Sequence, residues 1–178
     1  MKALGTAAPD FVLPDTITGN QLSLQGLKGE VATVIAFICN HCPFVKHVNT
    51  ELVRLAADYA VKGISFIAIS SNDAAAYPED GPELMKQVAE ELGYSFPYLY
   101  DETQQVAKDY QAACTPDFFV YDREAKLVYR GQLDDSRPGN NIPVTGSDIR
   151  HALDCLLNGQ PVPAEQRPGI GCNIKWKE

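Results

Sequence analysis

The chain has 178 residues, 45% of them hydrophobic, and a mean hydropathy of −0.18, which is enough apolar material for one well-packed domain and little for two. A net charge of −8, with no cluster of Lys and Arg beyond Lys175 and Lys177, argues against nucleic acid or an anionic membrane as partner. Met1 to Thr6 lacks an apolar export region and no run approaches the ~18 apolar residues a bilayer span requires, so a cytoplasmic protein is expected.

In chain order, Ala8 to Pro14 and Thr18 to Leu24 read as two short strands around a turn. Val31 to Ile38 is continuously apolar and rich in β-branched residues, the pattern of a strand covered on both faces. Phe44 to Val61 then repeats Phe44, Val48, Leu52, Leu55 and Tyr59 at helical spacing. Ile64 to Ser70 is a second buried strand, parallel to the first if the helix is their crossover. A connection from Ser71 to Gly81 is expected at the surface. Glu83 to Leu92 reads as a helix with Leu84, Val88 and Leu92 inward.

Phe96 to Leu99 is a short extended piece and Gln104 to Tyr110 a short helix. Phe118 to Tyr121 and Lys126 to Arg130, separated by four residues, form an antiparallel hairpin. Asp134 to Gly146 is polar and rich in Pro and Gly, hence a loop. Asp148 to Asn158 is a closing helix with Ser147 or Asp148 as its cap. Residues 161–178 carry no periodicity. The expectation is a single domain spanning 1–178 with an irregular tail at 161–178.

Five cysteines are present, Cys39, Cys42, Cys114, Cys155 and Cys172, an odd number, so at least one is unpaired. Two of them stand in Cys39-Asn40-His41-Cys42-Pro43, between the first buried strand and the helix. Unpaired backbone N–H groups and the positive end of the dipole stabilise a thiolate at such a place. If both residues are helical, ~4.5 Å of rise and ~300° of turn bring their Cα atoms within ~5 Å, inside the window for an unstrained disulfide. Dithiol/disulfide exchange is the chemistry this implies.

The order of strand, CxxC, helix, parallel strand, Thr-Pro, antiparallel hairpin and closing helix resembles the thioredoxin fold. Ala8-Pro9-Asp10-Phe11, the long connection and Thr115-Pro116-Asp117 resemble the redoxin or AhpC/TSA branch with its TlpA and ResA-type members. The likeness covers residues 5 to 158. It implies an α/β three-layer sandwich: a central mixed sheet, helices on both faces, and an N-terminal β-hairpin extension. It departs from thioredoxin in Ile38 for the aromatic residue before the first cysteine, in Asn40-His41 for Gly-Pro, and in the absence of a carboxylate from Val31 to Ile38.

The resemblance implies a thiol-disulfide oxidoreductase with an antioxidant or redox-homeostasis role. In it Cys39, facing solvent, attacks as thiolate, and the deeper Cys42 resolves the mixed disulfide. His41, if protonated, would support the Cys39 thiolate. Thr115 and Pro116 are expected as a cis-proline loop that binds an extended substrate. Cys114 reads as a third redox thiol or an apolar filler, Cys172 as a resolving or a surface thiol, and Cys155 as core. Lys46, His47, Asp135 and Arg137 are rim candidates.

Partners are expected to be a disulfide-bearing protein or a low-molecular-weight thiol, with a separate reductant. No cofactor and no metal are anticipated. Two other readings compete. Cys39-x-x-Cys42-Pro43 overlays the peroxiredoxin Thr-x-x-Cys-Pro pattern with Cys42 as the peroxidatic thiol. A Sco-like copper or zinc module would need a later histidine, for which His151 is available.

Overall fold

The computed structural model describes all residues from Met1 to Glu178. Its centre is a five-stranded mixed sheet in the order β5 (Tyr98–Tyr100), β4 (Ile64–Ser70), β3 (Ala32–Phe37), β7 (Asp117–Tyr121), β8 (Leu127–Gly131). β3 runs parallel to β4 and antiparallel to β7, and β4 runs parallel to β5. Every residue of β3 is buried, as its continuous apolar run requires of a strand with layers above and below.

Alternation along β3 divides the core in two. Ala32, Val34, Ala36 and Ile38 join Leu52 and Leu55 of α2 (Pro43–Ala60), Met85 of α3 (Pro82–Leu92), and Ile149 and Leu153 of α5 (Ser147–Leu157). Ile35 and Phe37 turn the other way, toward Val106 and Tyr110 of α4 (Gln105–Tyr110) and Leu24 of α1 (Leu24–Leu27). Tyr110 is the hub of that second layer, its ring 5.7 to 6.3 Å from those of Phe11, Phe37, Phe119 and Tyr121. Cys39 and Cys42 belong to the first layer.

The N-terminal hairpin, β1 (Val12–Pro14) with β2 (Gln21–Ser23), is antiparallel. Buried Asp15 ties it to the sheet, accepting from the Tyr98 backbone N–H at 3.2 Å, while the Thr16 N–H donates to the Tyr98 carbonyl at 3.0 Å. At the opposite edge Gln166 accepts from the Arg130 N–H and donates to the Val128 carbonyl. No helix is long and apolar enough to cross a membrane.

Several expectations are corrected. The inward face of α3 is Met85 and Ala89, with Leu84 and Leu92 each 41% exposed, because the helix meets the sheet rotated by one position from the Leu spacing. Neither Ser147 nor Asp148 caps α5; Gly146 does, in the left-handed conformation, with its N–H bonded to buried Asp134. The 71–81 connection is not wholly at the surface, since Ser71, Asn72 and Asp80 are buried. Cys155 is half-buried, 3.7 Å from His151. The tail forms a strand, β9 (Cys172–Asn173), antiparallel to β6 (Cys114–Thr115).

Asp117, opposite Phe37 in the ladder, is 7% exposed, and burial pushes its carboxyl up from 3.8 to about 6. Its raised folded-state value means that its contribution to stability is fully present below pH 3.8 and is lost as the pH rises through 6. Denaturant titrations should therefore show a loss of about 3 kcal/mol across that window, and Asp117→Asn should flatten it.

Candidate functional site

The strand-to-helix junction places the first two thiols. β3 ends at Phe37 and α2 begins at Pro43, with Cys42 as its N-cap. Proline suits the first helical position because its missing N–H would have no intrahelical partner. Cys39 therefore lies in the loop before the helix, and the thiols meet through that loop instead of through helical spacing. Neither faces water: Cys39 is 2% and Cys42 0% exposed. This corrects the expectation of a solvent-facing Cys39.

Facing them is the loop of β6. The Thr115–Pro116 bond is cis, the Thr115 hydroxyl lies 3.6 Å from Cys39 Sγ, and its carbonyl oxygen lies 3.3 Å from Cys42 Sγ. Across the same edge β9 pairs Thr115 with Cys172 and Cys114 with Asn173. That register sets Cys172 Sγ 2.7 Å from Cys42 Sγ. The site thus holds three sulfurs, of which Cys172 alone is half-exposed. Gly171 makes the approach possible, since a Cβ there would lie 1.9 Å from the Thr115 oxygen.

Charge is distributed unevenly over these sulfurs. Interaction with the Cys39 thiol, with smaller contributions from Cys172, Thr115 and the Val45 N–H of the first helical turn, outweighs burial and lowers Cys42 from 9.0 to about 4. Cys39 is pushed well above the ordinary thiol range by its bond to Cys42 and by burial, with the Asp80 charge adding to the effect. Burial and the bond to Cys42 raise Cys172 to about 11. Of the three sulfurs, Cys42 is thus the one whose ionisation is favoured.

His41 is not aimed at a Cys39 thiolate in the way its position suggested. Its Nδ1 bonds the Asp80 carboxylate, and its ring stacks on Tyr77 at 5.5 Å and 6°. Asp80, 0% exposed, also accepts from the N–H groups of Asn40 (2.8 Å) and His41 (3.2 Å) and from Asn72 Nδ2 (2.9 Å). It fixes the Asn40-His41 loop, and so the distance between the thiols. No strand residue could supply it, and the Pro78-Glu79-Asp80 turn gave only the weak signal of an acidic residue in a long connection. Cys39, His41 and Asp80 offer three donor atoms within 4.8 Å of one another, a cluster that the His41–Asp80 hydrogen bond accounts for. His151, the histidine considered for a metal site, lies on α5 beside Cys155.

Among the remaining candidates, Cys114 is buried, its thiol donating to the Pro116 carbonyl at 3.5 Å, and burial with the Asp117 charge raises it to about 12, as befits a packed, protonated filler. His47 bonds Ser136 at 2.7 Å, and with Arg137, Pro116 and Ile170 it lines a small cleft beside the loop. Asp135 pairs with Arg167 of the tail at 2.7 Å. Lys46 is exposed on the first turn of α2.

A family profile described as Redoxin matches residues 3–149. The chain belongs to the redoxin family. It is 26% identical over 134 residues to the thiol-disulfide oxidoreductase ResA of Geobacillus kaustophilus, covering 74% of this chain and 71% of that one. An uncharacterized conserved protein of the same organism, solved by crystallography, superposes with a TM-score of 0.98 at 68% identity over 99% of this chain and 94% of that one. The thioredoxin domain of a Bacteroides vulgatus thiol-disulfide oxidoreductase superposes with a TM-score of 0.62 at 22% identity over 73% of this chain and 89% of that one. The fold is thioredoxin-like, and this redoxin is related to thiol-disulfide oxidoreductases.

Two measurements check the site. Thiolate absorbance near 240 nm in the reduced protein should persist on acidification to about pH 4 and disappear in Cys42→Ser, whereas Cys39→Ser should keep it with a midpoint moved upward. Asp80→Asn, which leaves buried donors short of acceptors, should cost about 1 to 3 kcal/mol in a denaturant titration and lower the Cys39 pKa.

Proposed function

We propose that this redoxin exchanges disulfides through Cys42 as the attacking thiolate and Cys39 as the resolving thiol, the reverse of the order expected from sequence. The observation that carries this is the position of Cys42 as the N-cap of α2, in contact with Cys172 Sγ, with its thiol lowered while that of Cys39 is raised. A thiolate attacks; a thiol does not. The Cys42 thiolate displaces one sulfur of a substrate disulfide as a thiolate and forms a mixed disulfide. Loss of the Cys42 charge then removes the bond that held the Cys39 proton. Cys39 ionises and attacks Cys42, the substrate leaves as its second thiol, and Cys39–Cys42 remains.

Relatives described as thiol-disulfide oxidoreductases support this reading. Because the CxxC sulfurs are buried, small disulfides and thiols fit the site better than a folded protein. That substrate class supports a redox-homeostasis role.

One observation favours peroxidase chemistry as a second reading. Cys42 immediately precedes a helix-opening Pro43, and Cys39 stands three positions earlier, where the peroxiredoxin pattern has its threonine.

The two separate in one set of assays. Disulfide exchange with a small aromatic disulfide should be abolished in Cys42→Ser, and the mixed disulfide on Cys42 should accumulate when Cys39 and Cys172 are both replaced by Ser. Hydrogen peroxide should be consumed more slowly than disulfide. Faster consumption of peroxide, still lost with Cys42→Ser, would establish the second reading, and retention of exchange by Cys42→Ser would end both.

A further inference from the structure

Strand β9 occupies the backbone edge beside the nucleophile, and it is held there from both sides. Ile174 is 1% exposed and packs in the Tyr110 layer. The Lys175 carbonyl accepts from the Asp73 N–H and from Gln104 Nε2, each at 2.8 Å, and its N–H donates to Asn72 Oδ1 at 3.0 Å. Upstream, the Arg167 carbonyl accepts from the Gln132 N–H at 3.1 Å. An extended polypeptide arriving at Thr115 meets hydrogen-bonding groups that are already used. The sulfur that contacts Cys42 and also reaches the surface is Cys172.

We infer that Cys172 is a third redox thiol, which takes the disulfide over from Cys39–Cys42 and presents it, as Cys42–Cys172, to a low-molecular-weight thiol reductant. The inference rests on the exchange chemistry proposed above. In the first step the Cys172 thiolate attacks Cys42 Sγ in the Cys39–Cys42 bond. The Cys42–Cys172 bond forms, the Cys39–Cys42 bond breaks, and Cys39 leaves with the electron pair and takes up the proton that Cys172 gave up. The oxidation level of the protein is unchanged.

The reductant, RSH, then attacks Cys172 Sγ as its thiolate. Cys42 leaves with the bonding pair, which its low pKa favours, because the more acidic thiol departs faster. A second RSH attacks the sulfur of R in the Cys172 mixed disulfide, so that RSSR departs and Cys172 is left as thiolate. Two thiols are oxidised, one protein disulfide is reduced, and the protons pass to the protein thiols. The exchange needs no displacement of the tail, since the two sulfurs are already in contact. It moves the disulfide from two buried sulfurs to a pair that includes the half-exposed Cys172.

The test oxidises the whole chain with a slight excess of a small aromatic disulfide, quenches with acid, and maps the disulfides by mass spectrometry. A Cys42–Cys172 link is expected, either at once or after equilibration. Reduction of the oxidised protein by glutathione should be slower by about tenfold or more in Cys172→Ser. The same slowing is expected in Gly171→Ala, whose methyl group pushes β9, and Cys172 with it, away from Thr115 while removing none of the five thiols. The relay is overturned if Cys39–Cys42 is the sole disulfide found after equilibration, or if both variants are reduced by glutathione as fast as the parent. If no disulfide to Cys42 forms at all, the exchange chemistry itself has failed, and the two failures are thereby told apart.

Discussion

One constraint governs the site: a buried strand must hand over to a helix within five residues, and the residue at the handover is a cysteine. β3 is covered on both faces and leaves no room for the chain to wander before α2 begins. Cys42 consequently sits where the helix offers N–H groups with no acceptor of their own. The three thiols are linked, since Cys42 is lowered while Cys39 and Cys172 are raised. The asymmetry among the sulfurs comes chiefly from the interaction of Cys39 with Cys42, to which the helix N-terminus adds.

The loop that carries Cys39 needs a support of its own. Asn40 and His41 turn their backbone N–H groups inward, and without an acceptor those groups would be costly. Asp80 supplies it from a distant part of the chain, and Tyr98 holds Asn40 from below through a 2.9 Å bond to Oδ1. His41 therefore serves chiefly as a clamp between Asp80 and Tyr77. The thioredoxin-like scaffold has the same need to fix its CxxC, and here a carboxylate from a loop meets it.

The sheet, its parallel and antiparallel pairs and the helix carrying the cysteines were legible in the sequence because they depend on short-range apolar patterning. Val31 to Ile38 reads as a buried strand whatever its surroundings. What escaped depends on contacts across long stretches of chain. Nothing in Gly171-Cys172-Asn173-Ile174 has the length or alternation of a strand, and it becomes one because Ile174 is buried on the far layer and the glycine lets two backbones touch. Asp80 was invisible for the same reason, being a lone acidic residue whose four donors come from elsewhere. Helical spacing does not relate Cys39 to Cys42, because Cys42 is the cap of the helix and Cys39 lies in the loop before it.

The attachments at the two margins of the sheet have a consequence of a different kind. Asp15 and Thr16 satisfy Tyr98 on one side, and Gln166 satisfies Val128 and Arg130 on the other. Exposed strand margins are templates on which further molecules add by backbone pairing, the first step of aggregation. With both margins partly occupied by the chain's own irregular segments, fewer backbone groups are left there for a second molecule to pair with.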